Sequence, residues 1–165
     1  MVEIIDITGR KGSFKCLACA ITNKEIEDPF GFITVTKNFR VAHDFEYPIP
    51  GFIILSSWKH FQSIDEISSG ERKEFIELLY NLRTALRQVL SIKTIYIIQK
   101  EDSSHFHVLL FPRYEWMDKD FGKKIESVRP IMEYSKENMN TKENLEEIEK
   151  VNSKLQDYFR KLNKK

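Results

Sequence analysis

The sequence predicts an α+β protein built on a mainly antiparallel β-sheet. Short segments rich in β-branched and aromatic residues are separated by turns through the first third of the chain. A 3.6-residue apolar period then marks one long helix, and two more strand-like segments follow before a helical C-terminal part. The regular alternation of strands and helices that a doubly wound fold needs is absent.

Each strand follows from a local pattern of apolar residues. Residues 2–7 are β-branched and precede a turn, residues 32–36 and 39–43 flank Lys37-Asn38, and a Pro-Gly turn precedes an apolar run. Residues 105–111 alternate with period 2, so that His105, His107 and Leu109 are predicted to share one face. The sequence thus predicts strands at 2–7, 32–36, 39–43, 52–55, 94–99 and 105–111.

Three helices are predicted from residue 70 onward. Residues 70–91 carry apolar side chains on one face and charged side chains off it. Pro130 suits the first position of a short helix that runs to about Ser135. Asn140 and Glu143 have the spacing of a capping box for a last helix with one apolar stripe that ends at Leu162. Such a stripe favours packing on the protein's own core over a role in binding a partner.

Composition excludes several classes of function. A chain of 165 residues is expected to form one domain, residues 1–165. Because 26 Lys and Arg residues balance 25 Asp and Glu residues, no overall field favours nucleic acid or an anionic membrane. No segment approaches the roughly 20 apolar residues of a membrane span. We therefore expect a cytoplasmic protein that binds neither membrane nor nucleic acid.

Cys16 and Cys19 are the only cysteines. They lie too close in sequence to form a framework disulfide, so thiolate ligation or redox chemistry is favoured. Asp28-Pro29 soon interrupts the following segment, which argues against the long helix that a thioredoxin-type motif would begin. The two-residue spacing instead suits a zinc knuckle.

His60 and His105 would complete a Cys₂His₂ zinc site if their strands are antiparallel neighbours. His60 follows one predicted strand and His105 begins another, so the two would then lie side by side. The alternative is that both cysteines are small buried apolar residues and that His60 is a surface residue. The presence of four suitable ligands favours structural zinc.

His107 is the candidate catalytic residue. A neutral imidazole near pH 7 can act as a nucleophile toward phosphorus or as a general base. The alternative is a hydrogen-bonded histidine on a half-buried strand.

The residues His105-Phe106-His107-Val108-Leu109, which continue into Pro112-Arg113, resemble the motif of the histidine-triad (HIT) superfamily of nucleotidyl hydrolases and transferases. The segment from Asp44 through Pro50-Gly51 to Trp58-Lys59-His60 is similar to a second block of that family, and the Cys16–Cys19 pair matches its zinc-containing members. The resemblance covers about residues 14–113. It implies a HIT-like core, with residues 114–165 as a helical C-terminal extension.

The resemblance also implies roles for individual residues. His107 would attack the α-phosphorus of a nucleoside phosphate, such as a dinucleoside polyphosphate or a nucleoside phosphoramidate, and form a nucleotidyl-histidine intermediate. The family's zinc would be held by Cys16, Cys19, His60 and His105. Phe39, Val41 and Asp44 would line the nucleoside pocket, with Asp44 on a ribose hydroxyl. Family members are usually homodimers.

Leu109 departs from the motif because it replaces the third histidine. Leucine cannot donate a hydrogen bond to a phosphate or leaving-group oxygen, so charge stabilisation of roughly 3 kcal/mol would be missing. Lys100-Glu101-Asp102 also places acids where phosphate contacts are expected, and the hydroxyls of Ser103 and Ser104 could compensate. The alternative to an enzyme is therefore a catalytically silent protein of the same fold that binds a nucleotide or a partner.

Overall fold

A computed structural model describes residues 1–164. Its strands are β1 (Val2–Ile5), β2 (Lys11–Phe14), β3 (Phe32–Val35), β4 (Phe39–His43), β5 (Ile53–Ser57), β6 (Thr94–Gln99) and β7 (His107–Arg113). Its α-helices are α1 (Leu17–Thr22), α2 (Ser69–Leu90), α3 (Glu115–Phe121), α4 (Val128–Asn138) and α5 (Lys142–Leu162). Short 3₁₀ turns occupy Ile64–Glu66 and Ile125–Ser127.

The central element is a five-stranded sheet in the order β3-β4-β5-β7-β6, and every neighbouring pair is antiparallel. Strands β1 and β2 form a separate hairpin. The predicted α+β class with a mainly antiparallel sheet is confirmed. No helix within residues 1–164 is both long and apolar enough to span a membrane.

One face of the sheet packs against α2 and α5, and we call it the α2 face. Phe39 of β4 contacts Phe75 of α2, with 5.7 Å between the ring centroids. Leu55 of β5 and Leu110 of β7 belong to the same buried cluster, to which α5 contributes Leu155. The apolar stripe of α5 therefore packs on the core of its own chain, as predicted.

The opposite face carries the candidate site, and we call it the His107 face. Two rows of side chains cross it, because residues paired directly across antiparallel strands point to the same side. The polar row contains Arg40, Ser56 and His107. The apolar row contains Ala42, Ile54, Leu109 and Ile98.

Helices α3 and α4 cover the rest of the His107 face, beyond the apolar row. Phe111 of β7 and Met117 of α3 are fully buried in a second core cluster with Ile131 of α4. Arg113 anchors this segment, since its buried guanidinium donates to Asp118 Oδ1 at 2.6 Å and to Ser127 Oγ at 2.9 Å. Arg113 is therefore a buried structural residue rather than a solvated charge or a phosphate ligand.

The beginnings of α4 and α5 differ from their predicted positions. Helix α4 begins at Val128, two residues before Pro130, which is possible because the first-turn N–H groups need no partner within the helix. Helix α5 is capped by Thr141, whose Oγ1 accepts from Asn144 N, and not by Asn140. The Asn144 side chain donates to Pro48 O at 2.7 Å, which fixes the start of this helix against the loop before β5.

Candidate functional site

The pairing of β5 with β7 brings the two histidine segments together. Ser56, near the end of β5, pairs with His107 at the start of β7. His60 follows β5 and His105 precedes β7, so both lie at the same edge of this pair. The antiparallel arrangement predicted for these two strands is therefore present, although His105 lies two residues before the strand begins.

Cys16, Cys19, His60 and His105 form one cluster. Their ligand atoms all lie within 4.8 Å of one another. Cys16 Sγ is 3.5 Å from His105 Nδ1, and Cys19 Sγ is 3.1 Å from His60 Nδ1 and 3.6 Å from His105 Nδ1. Tetrahedral zinc with bonds of about 2.0–2.3 Å holds its ligands roughly 3.5 Å apart, so the spacing fits that ion.

The chemistry of the cluster also fits a divalent cation. Burial lowers the pKa of His105, so its imidazole is neutral and Nδ1 can coordinate. His105 Nε2 donates to Ser57 O at 2.9 Å, which turns Nδ1 toward the cysteines. Burial and the neighbouring Cys16 raise the pKa of Cys19 to about 11, so a cation is needed to hold two thiolates together at neutral pH. The four residues predicted to form a Cys₂His₂ site therefore do lie together, and their spacing and chemistry fit structural zinc.

Arg40 fastens the cysteine-bearing helix to the sheet. Its guanidinium donates to Ala18 O at 2.6 Å and to Thr22 Oγ1 at 2.7 Å, both on α1, and lies over the Trp58 ring at 5.0 Å. Arg40 is not among the site residues that the sequence predicts. The available signal was a single arginine between the apolar residues Phe39 and Val41, which indicates a buried partner.

His107 is half-buried and its ring has a defined orientation. Nδ1 lies 3.0 Å from His105 O and 3.2 Å from Ser103 Oγ. A carbonyl oxygen only accepts, so Nδ1 carries the proton and Nε2 carries the lone pair. This is the tautomer that a histidine nucleophile acting through Nε2 requires.

Leu109 shares the His107 face, as predicted, and is half-buried between two other apolar residues. It pairs with Ile54 on one side and Ile98 on the other. It also packs against the core cluster beneath α3 and α4. The position of the missing third histidine therefore belongs to a continuous apolar row.

Phe39 and Val41 do not lie with His107. Both are fully buried on the α2 face, where their side chains fill the main core cluster. This placement excludes a contact with a ligand on the His107 face without unfolding β4, and it corrects their assignment to the nucleoside pocket. The residues of β4 that do share the His107 face are Arg40 and Ala42.

Asp44 and the two serines have different surroundings. The Asp44 carboxyl is buried, and its Oδ1 accepts from Glu46 N and Tyr47 N, each at 2.8 Å. Ser103 is half-buried beside His107, and Ser104 is exposed. Lys100 pairs with Asp102 at 2.9 Å on the surface, so its ammonium already has a counter-ion.

Burial raises the pKa of Asp44 to about 7, against its ordinary value of 3.8. The folded protein therefore holds this proton more tightly than the unfolded chain, and stability falls as the pH rises from about 4 to 7. The side-chain oxygen of an asparagine could still accept from Glu46 N and Tyr47 N, and the amide carries no charge. We expect Asp44→Asn to raise the free energy of unfolding by roughly 2–4 kcal/mol at pH 8 and to change it little at pH 4. Urea unfolding at both pH values tests this, with the exposed Asp120→Asn as the control; equal effects at the two pH values would refute it.

Comparisons with solved structures find the same architecture. A zinc-bound histidine triad family protein from Mycobacterium smegmatis superposes with a TM-score of 0.62, at 15% identity, covering 93% of this chain and 99% of its own. A hypothetical histidine triad nucleotide-binding protein from Sulfolobus tokodaii gives a TM-score of 0.63, at 19% identity, covering 89% of this chain and 93% of its own.

The chain has the histidine-triad fold. A HIT family protein from Bacillus anthracis is similar as well, with a TM-score of 0.56 at 18% identity, covering 78% of this chain and 92% of its own. Comparison of the sequence with models of protein families and with curated proteins finds no match. The resemblance drawn from the His105–Arg113 and Asp44–His60 segments is thus confirmed for the HIT fold.

Proposed function

We propose that this HIT-fold protein acts at the α-phosphate of a nucleoside phosphate, with His107 as the nucleophile. The observation that carries the proposal is the His107 ring itself, whose Nδ1 is held by His105 O at 3.0 Å and whose Nε2 is thereby left with its lone pair. A HIT-fold structure from Sulfolobus tokodaii is described as a nucleotide-binding protein, which supports a nucleotide as the ligand. Dinucleoside polyphosphates and nucleoside phosphoramidates are the proposed substrate types.

The proposed reaction has two steps. The Nε2 lone pair forms a bond to phosphorus, and the bond from phosphorus to the leaving group breaks with its electron pair. Water or another acceptor then attacks the nucleotidyl-histidine, the P–N bond breaks with its electrons returning to Nε2, and the attacking group loses its proton to solvent. Ser103 and Ser104 are proposed contacts of the phosphate and Asp44 of a ribose hydroxyl, while Leu109 contacts the ligand through its methyl groups.

A second candidate function is nucleotide or partner binding without turnover. The observation that favours it is the apolar row, because Leu109 has no hydrogen-bond donor for the negative charge that develops on the phosphoryl oxygens during transfer. Incubation of the purified protein with adenosine phosphoramidate and diadenosine polyphosphates, followed by chromatography, distinguishes the two. Release of AMP above the background of a His107→Ala variant supports the enzyme; AMP binding by calorimetry with no release supports the silent protein.

Zinc at Cys16, Cys19, His60 and His105 has a structural role in this proposal. All four protein ligands are accounted for, which leaves no open coordination position for a reacting group.

Both thiols are free of disulfide bonds, which is consistent with the proposed cytoplasmic location. We propose one domain over residues 1–165, with the region after Arg113 as its helical extension.

We further propose a homodimer formed through β6 and the neighbouring surface of α2. Strand β6 is at the edge of the sheet, and its Ile97 is 51% exposed. On α2, Ile76 and Tyr80 are 58% and 69% exposed, and they lie on one stripe with Arg83. Arg83 donates to the carbonyls of residues 92 and 93, just before β6, so this stripe of α2 lies beside the start of that strand.

Ile97→Glu should convert this dimer into a monomer. Two charges brought face to face across the joined strands would be desolvated without partners. Sedimentation equilibrium gives the mass directly, and Ile125→Glu, at a residue that is 55% exposed away from this surface, is the matched control. A wild-type protein that is monomeric at micromolar concentration would contradict the proposed dimer.

A further inference from the structure

The polar row contains a hydroxyl group, that of Ser56, whose hydrogen is accepted by no side chain or carbonyl in the described part of the chain. Ser56 Oγ accepts from Arg40 Nε at 3.0 Å. A serine hydroxyl has one hydrogen to donate, and within residues 1–164 that hydrogen has no acceptor. Ser56 is only 6% exposed, so the donor lies at the floor of the His107 face rather than in bulk water.

The position of this hydroxyl relates it to His107. Ser56 pairs directly with His107 across β5 and β7, and side chains paired in this way lie on one face about 5 Å apart at Cβ. A phosphoryl group joined to His107 Nε2 would place its oxygens above this row. The hydroxyl is thus within reach of the atoms on which negative charge develops.

Arg40 strengthens Ser56 as a donor. Arg40 is 3% exposed, and the hydrogen bond that its guanidinium donates to Ser56 is charge-assisted, which polarises the O–H bond of the serine. The same arginine is fixed by Ala18 O and Thr22 Oγ1, so it cannot swing toward the ligand itself. Arg40 is therefore a positioning residue that acts through Ser56.

The other candidate donors have a partner of their own or are exposed, so each would have to give up that partner or its hydration to reach a ligand. The Ser103 hydroxyl donates to His105 O at 3.0 Å. Ser104 is exposed, and the Lys100 ammonium is paired with Asp102. Leu109 has no donor at all. Of these side chains, Ser56 alone combines a free hydrogen, burial and direct pairing with His107.

We propose that Ser56 is a catalytic residue whose hydroxyl donates to a non-bridging phosphoryl oxygen, in place of the donor that Leu109 does not supply. This inference rests on the proposed function and adds one residue to it. During transfer the Nε2 lone pair bonds to phosphorus and the leaving group departs with its electron pair, while Ser56 keeps its proton throughout. The hydrogen bond strengthens as charge moves onto the phosphoryl oxygens.

Steady-state kinetics of Ser56→Ala and Ser56→Thr test the proposal. We expect Ser56→Ala to lower kcat by roughly 100-fold with little change in KM, since an interaction made in the transition state is lost. Ser56→Thr retains the hydroxyl and should stay within about fivefold of wild type. Ser153→Ala, an exposed change on α5, is the control and should leave kcat unchanged. Zinc content and Tm are measured for each variant, so that a folding defect is recognised.

A double variant adds a readout that a structural role would not produce. If Ser56 substitutes for the missing donor, Leu109→His should restore activity more in the Ser56→Ala background than in wild type. The proposal is overturned if wild type and Ser56→Ala have equal kcat. It is also overturned if Ser56→Thr loses as much kcat as Ser56→Ala.

Absence of turnover in wild type would count against the proposed function rather than against Ser56. In that case the affinity for AMP tests whether Ser56 donates to the phosphate. We expect Ser56→Ala to weaken AMP binding by about tenfold, because one charge-assisted hydrogen bond is lost. An unchanged Kd overturns the assignment of Ser56 as a phosphate donor.

Discussion

Replacement of His107 by alanine is expected to abolish turnover. Loss of a nucleophile removes the covalent route altogether, and comparable losses in other enzymes lower kcat by roughly 10⁴-fold or more. The fold should be unaffected, because His107 is half-buried at the start of β7 and its ring contacts are Ser103 and the backbone of His105. The measurement is AMP release from adenosine phosphoramidate under single-turnover conditions.

His107→Asn is a useful companion variant. Its amide can keep the hydrogen bond to His105 O but cannot attack phosphorus, so its rate should equal that of His107→Ala. Unchanged zinc content and Tm in both variants would confirm that only the chemistry is lost. Turnover within tenfold of wild type in either variant would rule out His107 as the nucleophile.

Removal of zinc is the second change with a large expected effect. The four ligands come from the start of α1 and the residue before it, the segment after β5 and the segment before β7, so a bound ion would join three parts of the chain. An ion at 1,000 times its Kd stabilises the folded state by about 4 kcal/mol. For a chain of this size, each kcal/mol of lost unfolding free energy lowers Tm by about 2–4 °C. Chelation or Cys19→Ala should therefore lower Tm by roughly 10 °C.

Calorimetry with and without a chelator measures this shift directly. Re-addition of zinc should restore Tm in wild type but not in Cys19→Ala, which separates loss of the ion from damage by the chelator. Ser13→Ala, an exposed change on β2, is the control for a substitution near the cluster. An identical Tm with and without zinc would exclude a structural role.

The sequence was sufficient for the parts of the fold that local patterns determine. The apolar period of residues 70–91 and the β-branched run of residues 94–99 correspond closely to α2 and β6. The Cys₂His₂ cluster could also be predicted, because two-residue cysteine spacing and two strand-end histidines need only one antiparallel pairing to meet. Here the chemistry of the residues was more informative than their position.

What could not be predicted depended on tertiary packing. A period of 2 assigns Phe39 and Val41 to one face and Arg40 to the other, but it does not say which face a helix covers. The start of α5 was displaced by one residue because Asn144 is fixed to the loop at Pro48, a contact made at long range. The relation of Ser56 to His107 likewise required the register of β5 and β7.

Nucleophilic attack by His107 would leave a nucleotidyl group on its ring, and trapping this covalent intermediate tests the proposed mechanism. The protein is mixed with excess adenosine phosphoramidate, quenched within one turnover and digested, and the peptides are analysed by mass spectrometry. We expect an adenylyl group on the peptide that contains His107, labile in acid as phosphoramidates are, and absent from His107→Ala. Turnover at the wild-type rate with no adenylyl group on that peptide at any quench time, or with the group on another residue, would contradict it.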